Sequence, residues 1–235
     1  MRPIIHLHNV TRDYGQGEIT VHALQDLNLT LQPGSFVAVV GPSGSGKSTL
    51  LNIVGGLDSP TEGSVEVDGH DITSLSRTAL SRLRLRKIGF VFQAYNLLPV
   101  LTAYENAEYV LLLQGVPAKK RREKVMALLK RVGLQGLEKR FPRQLSGGQQ
   151  QRVAVARAVA AEPALILADE PTANLDSKTA EGLIDLMVEL NQEKGVTFLF
   201  TTHDAHVMSH AKRLVQLTDG RITYDGDFEG FRAIA

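Results

Sequence analysis

The chain has 235 residues, which is enough for one sizeable α/β core with a smaller subdomain. Lysine and arginine (26) nearly balance aspartate and glutamate (25), and the net charge of +1 gives no reason to expect nucleic acid or an acidic surface as partner. The chain contains no cysteine, which excludes disulfides, thiolate metal sites and a cysteine nucleophile and fits a reducing compartment.

The first third of the chain predicts strands that lead into one glycine-rich loop. Leu27 to Leu31 alternates between apolar and polar residues, as a half-buried strand does, and Pro33-Gly34 marks a turn. Ser35 to Val40 is a continuous apolar run typical of a buried parallel strand. A helix is predicted to begin near Lys47 and to end at Gly55-Gly56.

The middle of the chain changes from strand to helix. Lys87 to Gln93 predicts a strand that ends on a glutamine. From about Leu101 to Phe141 apolar residues recur at helical spacing with charged residues between them, as in Val125, Leu128, Leu129 and Val132. We therefore expect a helical insertion here.

The last third returns to alternating strands and helices. The sequence predicts a buried strand over Ala164–Ala168, a helix through Leu183–Leu190 that ends near Gly195, a strand over Val196–Thr201, and a hairpin from Arg213 to Tyr224 around Asp219-Gly220. Strands that alternate with helices imply an α/β fold with a mostly parallel sheet and helices on both faces.

The loop Gly41 to Ser48 fits the P-loop pattern G-x-x-x-x-G-K-[ST], and it has the strand before it and the helix after it that the pattern requires. A glycine-rich turn without a ligand is the alternative. Lys47 would sit beside the β- and γ-phosphates, and the Ser48 hydroxyl would face magnesium. The predicted ATP-binding residues of this loop are Gly41, Pro42, Ser43, Gly44, Ser45, Gly46, Lys47, Ser48 and Thr49.

Two carboxylates follow the buried strand at 164–168. Asp169 is suited to hold Mg²⁺, directly or through water, and Glu170 to polarise the attacking water, as general base or as water-positioning group. A solvated surface pair is the alternative, but five apolar residues lead straight into it and Pro171 ends the element. We therefore predict hydrolysis rather than a slow switch.

A second glycine-rich turn, Leu145-Ser-Gly-Gly-Gln149, opens another helix. Its glycines permit close backbone approach to an anion, and Ser146 adds a hydroxyl. The alternative is a capping turn with Ser146 as N-cap. Because the P-loop already takes one side of a nucleotide, a second phosphate-binding turn makes sense if it serves another subunit's ATP.

The ordered trio of P-loop, Leu145–Gln149 and Asp169-Glu170 resembles the ATP-binding-cassette (ABC) ATPases over roughly residues 4–224. The resemblance implies a single domain, 1–235, with an N-terminal antiparallel β region, a P-loop core (1–93 and 160–235) and a helical subdomain (about 94–159). It also implies a head-to-tail dimer that sandwiches two ATP molecules. The residues expected to contact the partner's ATP are Ser146, Gly147, Gly148, Gln149 and Asp176.

Four further positions match this family's pattern. Tyr14 lies where the family has an aromatic that stacks on adenine, and Gln93 matches the glutamine that touches magnesium and water and reports to the membrane partner. Asp176 ends the Asn174–Asp176 loop at the dimer interface, and His203 matches the histidine that contacts the γ-phosphate. Each has a plain alternative, such as a packing tyrosine or a core histidine. The resemblance thus assigns Glu170, His203, Lys47 and Gln93 to catalysis, and Ser48, Gln93 and Asp169 to Mg²⁺.

Segments 17–24, 52–58 and 201–204 resemble one subgroup, the macrolide-exporter, lipoprotein-release and cell-division ATPases. Their membership implies a separate integral membrane permease as partner, docked near Gln93 and the helical insertion. No secretion signal and no apolar run of 18 residues is visible, so we expect a cytoplasmic protein bound peripherally to the inner face of the membrane.

Nucleic acid is not expected as a partner. The basic clusters Arg82–Lys87 and Lys119–Arg122 have no interleaved aromatics and are interpreted as solvated faces. A soluble ABC ATPase acting on DNA or ribosomes, and a P-loop kinase or GTPase, remain as alternatives. The latter would leave Leu145–Gln149 and His203 unexplained.

Overall fold

The computed structural model describes residues 2–16 and 19–234. In these residues the strands are β1 (Ile5–Gln16), β2 (Ile19–Leu31), β3 (Phe36–Val40), β4 (Glu62–Val67), β5 (His70–Asp71), β6 (Ile88–Val91), β7 (Leu165–Ala168), β8 (Thr197–Thr201), β9 (Arg213–Thr218) and β10 (Arg221–Gly226). The helices are α1 (Lys47–Val54), α2 (Arg77–Lys87), α3 (Ala103–Leu113), α4 (Ala118–Arg131), α5 (Gly147–Ala160), α6 (Ser177–Lys194), α7 (Ala205–Ser209) and α8 (Phe228–Ile234), with a 3₁₀ turn at Pro142–Gln144. Within the described ranges, no helix is both long and apolar enough to cross a bilayer.

The strands form two sheets. The larger has the order β10-β9-β3-β8-β7-β6, and all of its strands are parallel except β10, which pairs antiparallel with β9. The smaller, β2-β1-β4-β5, is antiparallel. The predicted fold class, a mostly parallel α/β core with an N-terminal antiparallel β region and inserted helices, is confirmed.

The central strand β3 explains the layering, because all five of its side chains are buried and alternate between two cores. Phe36, Ala38 and Val40 face the core shared with α3, α4, α5 and α6. Val37 and Val39 face the core shared with α1, α2 and the antiparallel sheet. A strand buried on both faces reads as an unbroken apolar run, which is why the sequence identified it.

Five elements and one boundary differ from the sequence expectation. Helices α2, α7 and α8 and strands β4 and β5 are additional to the predicted elements. Strand β6 ends at Val91, so Gln93 lies in a turn beyond the strand rather than at its end.

Five of the eight cations in the two basic clusters are exposed, as expected of solvated faces, and the other three make contacts within the protein. On α2, Arg84 Nη1 donates to the Gly56 carbonyl oxygen at 2.5 Å, and Lys87 pairs with Asp68 at 2.8 Å. On α4, Arg121 Nε donates to Glu108 Oε1 at 2.7 Å. These cations link elements that are distant in sequence, which a count of charges along the chain does not show.

Candidate functional site

The glycine-rich loop connects the carboxyl end of β3 to the N-terminus of α1. Gly46, the residue before the helix, has φ of +101°, and a β-carbon there would collide with the carbonyl oxygen of Ala23 on β2. Both the left-handed backbone and the close approach of β2 therefore require glycine at this position. The unpaired N–H groups that begin α1 give the loop partial positive charge, which suits an anion.

Lys47 turns back over this loop. Its side chain is only 9% exposed, and Nζ donates to the carbonyl oxygens of Gly41 and Pro42, both at 2.8 Å. These two hydrogen bonds thus hold the ammonium group over the loop. This places one full positive charge where the loop's N–H groups also converge.

The turn of the β9–β10 hairpin supports the loop from behind. The Gly220 N–H donates to the Ser45 carbonyl oxygen at 3.1 Å, and the Gln25 N–H donates to the Gly220 carbonyl oxygen at 2.9 Å. The hairpin was predicted from Asp219-Gly220, but its contact with a loop some 170 residues earlier in the chain was not, because nothing local in the sequence encodes it.

Asp169 and Glu170 are fixed by a residue that the sequence analysis missed, Thr201 at the end of β8. The fully buried Thr201 Oγ1 donates to Asp169 Oδ1 at 2.7 Å and accepts the Glu170 N–H at 2.8 Å. Strands β7 and β8 are parallel neighbours, so their carboxyl ends meet at one edge of the sheet. The available signal was the threonine that directly follows the apolar run 198–200.

Glu170 adopts an unusual backbone conformation and faces His203. Its φ of +43° lies in the left-handed region that residues other than glycine seldom occupy. Its Oε1 lies 3.3 Å from Nδ1 of His203, whose side chain is 68% exposed. Strained residues of this kind cluster at functional sites because the surrounding structure must hold them in place.

A cleft of about 530 Å³ brings most of these residues together. Its walls are the P-loop and the start of α1, residues 21–23 of β2, Glu170 and His203. Ser45 does not line the cleft, because its side chain is buried beneath the loop. The cleft is open, polar and large enough for a nucleotide's phosphates.

Tyr14 lies on β1, paired with the cleft-lining Val21 of β2, but does not itself line the cleft. Its hydroxyl donates to Asp58 Oδ2 at 2.7 Å, and the Arg12 guanidinium carbon is 4.4 Å from the centre of its ring. Partial burial alone would raise the pKa of Asp58, but hydrogen bonds from Tyr14 and the Ser59 amide, together with the charge of Arg12, hold it below its usual value. The ring is thus fixed at the rim of the cleft.

Gln93 follows β6 in a turn that contacts the segment after Glu170. Asn174 Nδ2 donates to the Gln93 carbonyl oxygen at 3.1 Å. Gln93 is therefore attached through its backbone to the loop that follows Glu170, although its side chain does not line the cleft.

The Ser146–Gln149 turn is a capping box at the start of α5, as the capping alternative predicted. Ser146 Oγ accepts the Gln149 N–H at 3.3 Å, and Gln149 Oε1 accepts the Ser146 N–H at 2.9 Å. A β-carbon on Gly148 would collide with the Thr179 methyl group of α6, whose N-cap is Asp176. None of these residues lines the described cleft.

Comparison with known proteins follows this geometry. The family profile described as ABC transporter matches residues 24–173. The ABC transporter ATP-binding protein MJ0796 of Methanocaldococcus jannaschii is 47% identical over 235 residues, covering 97% of this chain and 99% of that protein. A dimeric structure of MJ0796 in a post-hydrolysis state, bound to ADP and Pi, has a TM-score of 0.90 at 45% identity and covers 95% of this chain and 98% of that one.

Two further relatives carry names that describe their systems. The lipoprotein-releasing system ATP-binding protein LolD of Anaeromyxobacter dehalogenans is 48% identical over 225 residues, covering 95% of this chain and 94% of that protein. The macrolide export ATP-binding/permease protein MacB of Sodalis glossinidius is 46% identical over 223 residues. This chain spans only 34% of that MacB, so most of MacB has no counterpart in it.

A lysine held in a glycine-rich loop opposite a glutamate and a histidine defines the class of the protein, a P-loop ATPase. The matched profile and relatives of 45–48% identity then give the family. The chain belongs to the ABC transporter family, as an ATP-binding subunit that hydrolyses ATP.

Proposed function

We propose that two copies of this chain bind two ATP molecules between them and use hydrolysis to drive a separate membrane permease. One observation carries the proposal. The cleft joins the P-loop to Glu170 and His203, whereas the Ser146–Gly148 turn has the N–H groups of a phosphate site but does not line that cleft. A second copy, packed head to tail, would supply the turn that each cleft lacks.

Within one copy, Lys47 and the loop's N–H groups hold the β- and γ-phosphates, and His203 contacts the γ-phosphate. Glu170 accepts a proton from the attacking water. The Ser48 hydroxyl, one Asp169 carboxylate oxygen and the Gln93 amide oxygen are the hard oxygen donors that Mg²⁺ prefers. When bound, Mg²⁺ neutralises the charge that develops on the phosphates. The hydrogen bond from Thr201 supports this set of donors, because it uses only one of the two Asp169 carboxylate oxygens.

Tyr14 stacks on the adenine. The bond from its hydroxyl to Asp58 and the cover of Arg12 on its ring support this role, because they keep an aromatic surface in one orientation at the rim of the cleft. A merely packing tyrosine would be buried, whereas this residue is 36% exposed.

Ser146, Gly147, Gly148, Gln149 and Asp176 contact the ATP held by the partner copy. The Ser146–Gln149 capping box supports this role because it fixes the first turn of α5 while leaving helix N–H groups for an anion. MJ0796, a relative covering nearly the whole chain, has been solved as a dimer with ADP and Pi.

The permease docks near Gln93 and the helical subdomain, about residues 94–159 of the single domain 1–235. Large apolar side chains are exposed in and near this region, which supports an interface. They are Leu57, Leu98, Val100, Tyr109, Leu112 and Leu113. The protein is then cytoplasmic and peripheral on the inner face of the membrane. The names of LolD and MacB favour lipoprotein release or export, and the permease determines the substance moved.

Subunit complementation tests the shared site. Lys47→Ala removes the P-loop ammonium, and Ser146→Arg blocks the turn offered to the partner. Each variant alone should hydrolyse ATP at background rates. An equal mixture should regain up to about a quarter of wild-type activity, because half of the dimers are mixed and one of their two sites is intact. A mixture as inactive as its components would contradict the head-to-tail arrangement.

Co-purification tests the partner. After detergent extraction of membranes, we expect the chain to be recovered with an integral membrane protein. Recovery only with ribosomes or DNA would instead support a soluble ABC ATPase and would overturn the proposal.

A further inference from the structure

A partly buried arginine of α5 is bound by two backbone carbonyl groups. Arg157, on α5, donates from Nη1 to the Asn96 carbonyl oxygen at 2.6 Å and from Nη2 to the Tyr95 carbonyl oxygen at 3.0 Å. Burial lowers the pKa of Arg157, and no carboxylate contributes to that shift. Removing a guanidinium from water costs free energy, and here two carbonyl groups, rather than a carboxylate, compensate for that cost. Arg157 therefore does more than form a simple ion pair.

The backbone that Arg157 holds is strained. Tyr95 and Asn96 have φ of +59° and +48°, two consecutive residues in the left-handed region. Non-glycine residues occupy this region at a cost, and the surrounding structure must hold them there. The Tyr95 N–H donates to the Phe92 carbonyl oxygen at 3.0 Å, and this turn contains Gln93.

The other attachments of this segment also reach beyond β6. Asn174 Nδ2 donates to the Gln93 carbonyl oxygen, and the buried Asn106 of α3 both donates to the Leu98 carbonyl oxygen at 3.1 Å and accepts the Leu98 N–H at 2.8 Å. The segment 93–98 is therefore held in place by side chains from α3, from α5 and from the loop that contains Asn174. Of these, α5 is the helix that begins with the Ser146–Gly148 turn.

We propose that Arg157 is a positioning residue that fixes the Gln93 turn to α5, so that the turn and the Ser146–Gly148 end of that helix move together. The proposal rests on the proposed function for the roles of Gln93 and Ser146. Arg157 acts through the backbone of residues 95 and 96. It gives a short physical connection between the residue assigned to the copy's own ATP and the turn assigned to the partner's ATP.

The helix also provides a matched control. Arg152, five residues earlier on α5, donates from Nη1 to the Val132 carbonyl oxygen at 3.0 Å, a contact that stays among the helices. Arg157→Gln and Arg152→Gln thus each remove a guanidinium-to-carbonyl interaction from one helix. Only the first is expected to release the Gln93 turn.

Hydrogen–deuterium exchange on the full-length protein measures the attachment directly. Arg157→Gln should speed amide exchange in residues 94–97 by about tenfold, the expected loss for one strong side-chain hydrogen bond. Arg152→Gln should leave that segment unchanged, and Arg157→Lys, which keeps the charge, should be intermediate. Unchanged exchange at 94–97 in Arg157→Gln would overturn the proposal, whether or not the protein hydrolyses ATP.

A double-mutant cycle on kcat tests whether the effect passes through Gln93. Arg157→Gln should reduce kcat by about tenfold in the wild-type background and have little further effect in Gln93→Ala. Arg152→Gln should have the same effect in both backgrounds. Equal losses from Arg157→Gln in both backgrounds would mean that it acts elsewhere. Absence of ATPase activity in the wild type would contradict the proposed function, and the exchange result would still decide the role of Arg157.

Discussion

Replacing Thr201 by valine removes one hydroxyl and keeps the shape of the side chain. That hydroxyl donates to Asp169 Oδ1 and accepts the Glu170 N–H, so both carboxylate residues lose their anchor at once. The substitution leaves a partly buried amide without its acceptor and a carboxylate without its charge-assisted hydrogen bond.

The magnitude follows from these two bonds. The orphaned Glu170 amide costs about 1–3 kcal/mol, and the bond to the Asp169 carboxylate is worth about 1.5–3 kcal/mol. Asp169 is partly exposed and regains water, so we take the lower end of both ranges, about 2.5 kcal/mol in total. In a chain of this size that lowers Tm by roughly 5–10 °C.

Thermal unfolding and ATPase kinetics measure the effect. Thr197→Val is the control, because the buried Thr197 lies on the same strand and its hydroxyl accepts only the Gly34 N–H, at 3.0 Å, away from the cleft. It should cost about 1 kcal/mol and leave kcat unchanged. Thr201→Val should also lower kcat about tenfold, the equivalent of about 1.4 kcal/mol, and raise the Mg²⁺ concentration needed for half-maximal rate.

Thr201→Ser separates the hydroxyl from the rest of the side chain. It keeps both hydrogen bonds and should retain near-wild-type kcat, losing only the packing of one methyl group, about 1 kcal/mol. If Thr201→Val were as stable and as active as Thr197→Val, the anchoring argument would be refuted.

Glu170→Gln should bind ATP normally, nearly abolish turnover and accumulate an ATP-bound dimer in size-exclusion chromatography; unchanged hydrolysis would remove Glu170 from its catalytic role. Gly148→Ala should lose about 1–3 kcal/mol of stability, because its methyl group meets that of Thr179, and adding Thr179→Ser should restore most of the loss in urea unfolding. Asp58→Asn should make the free energy of unfolding fall less steeply as the pH is lowered into the acid range. The folded pKa of Asp58 lies below its unfolded value of about 3.9, so its contribution is present above that pH and is lost as pH falls through the folded value. Equally steep acid unfolding in wild type and variant would show that Asp58 is unimportant there. Tyr14→Ala should weaken ATP binding more than Tyr14→Phe, measured by nucleotide titration.

The elements best predicted from sequence are those whose signal is local. Ser35–Val40 is apolar because β3 is buried on both faces, and Lys47 begins a helix because Gly46 permits the left-handed turn before it. The hairpin at Asp219-Gly220 is predicted for the same reason, since both residues adopt positive φ.

What the sequence could not predict depends on contacts between distant segments. Helix α2 buries only Leu83, so it has almost no apolar stripe to recognise. Thr201 bonds to Asp169 and Glu170 because β7 and β8 are neighbours in the sheet. The pattern of residues along a single strand does not show which strands are neighbours. The Tyr14–Asp58 bond joins residues 44 positions apart.

The folded-back ammonium of Lys47 has a consequence for selectivity. Nζ donates two of its three N–H groups to the carbonyl oxygens of Gly41 and Pro42, so one N–H is left for an incoming phosphate oxygen. The two carbonyl bonds fix the direction of that third N–H, and the bond it forms with an anion is charge-assisted. A nucleoside without phosphates offers no anionic acceptor for it, and added salt weakens the interaction. The loop thereby selects its ligand by ionic charge.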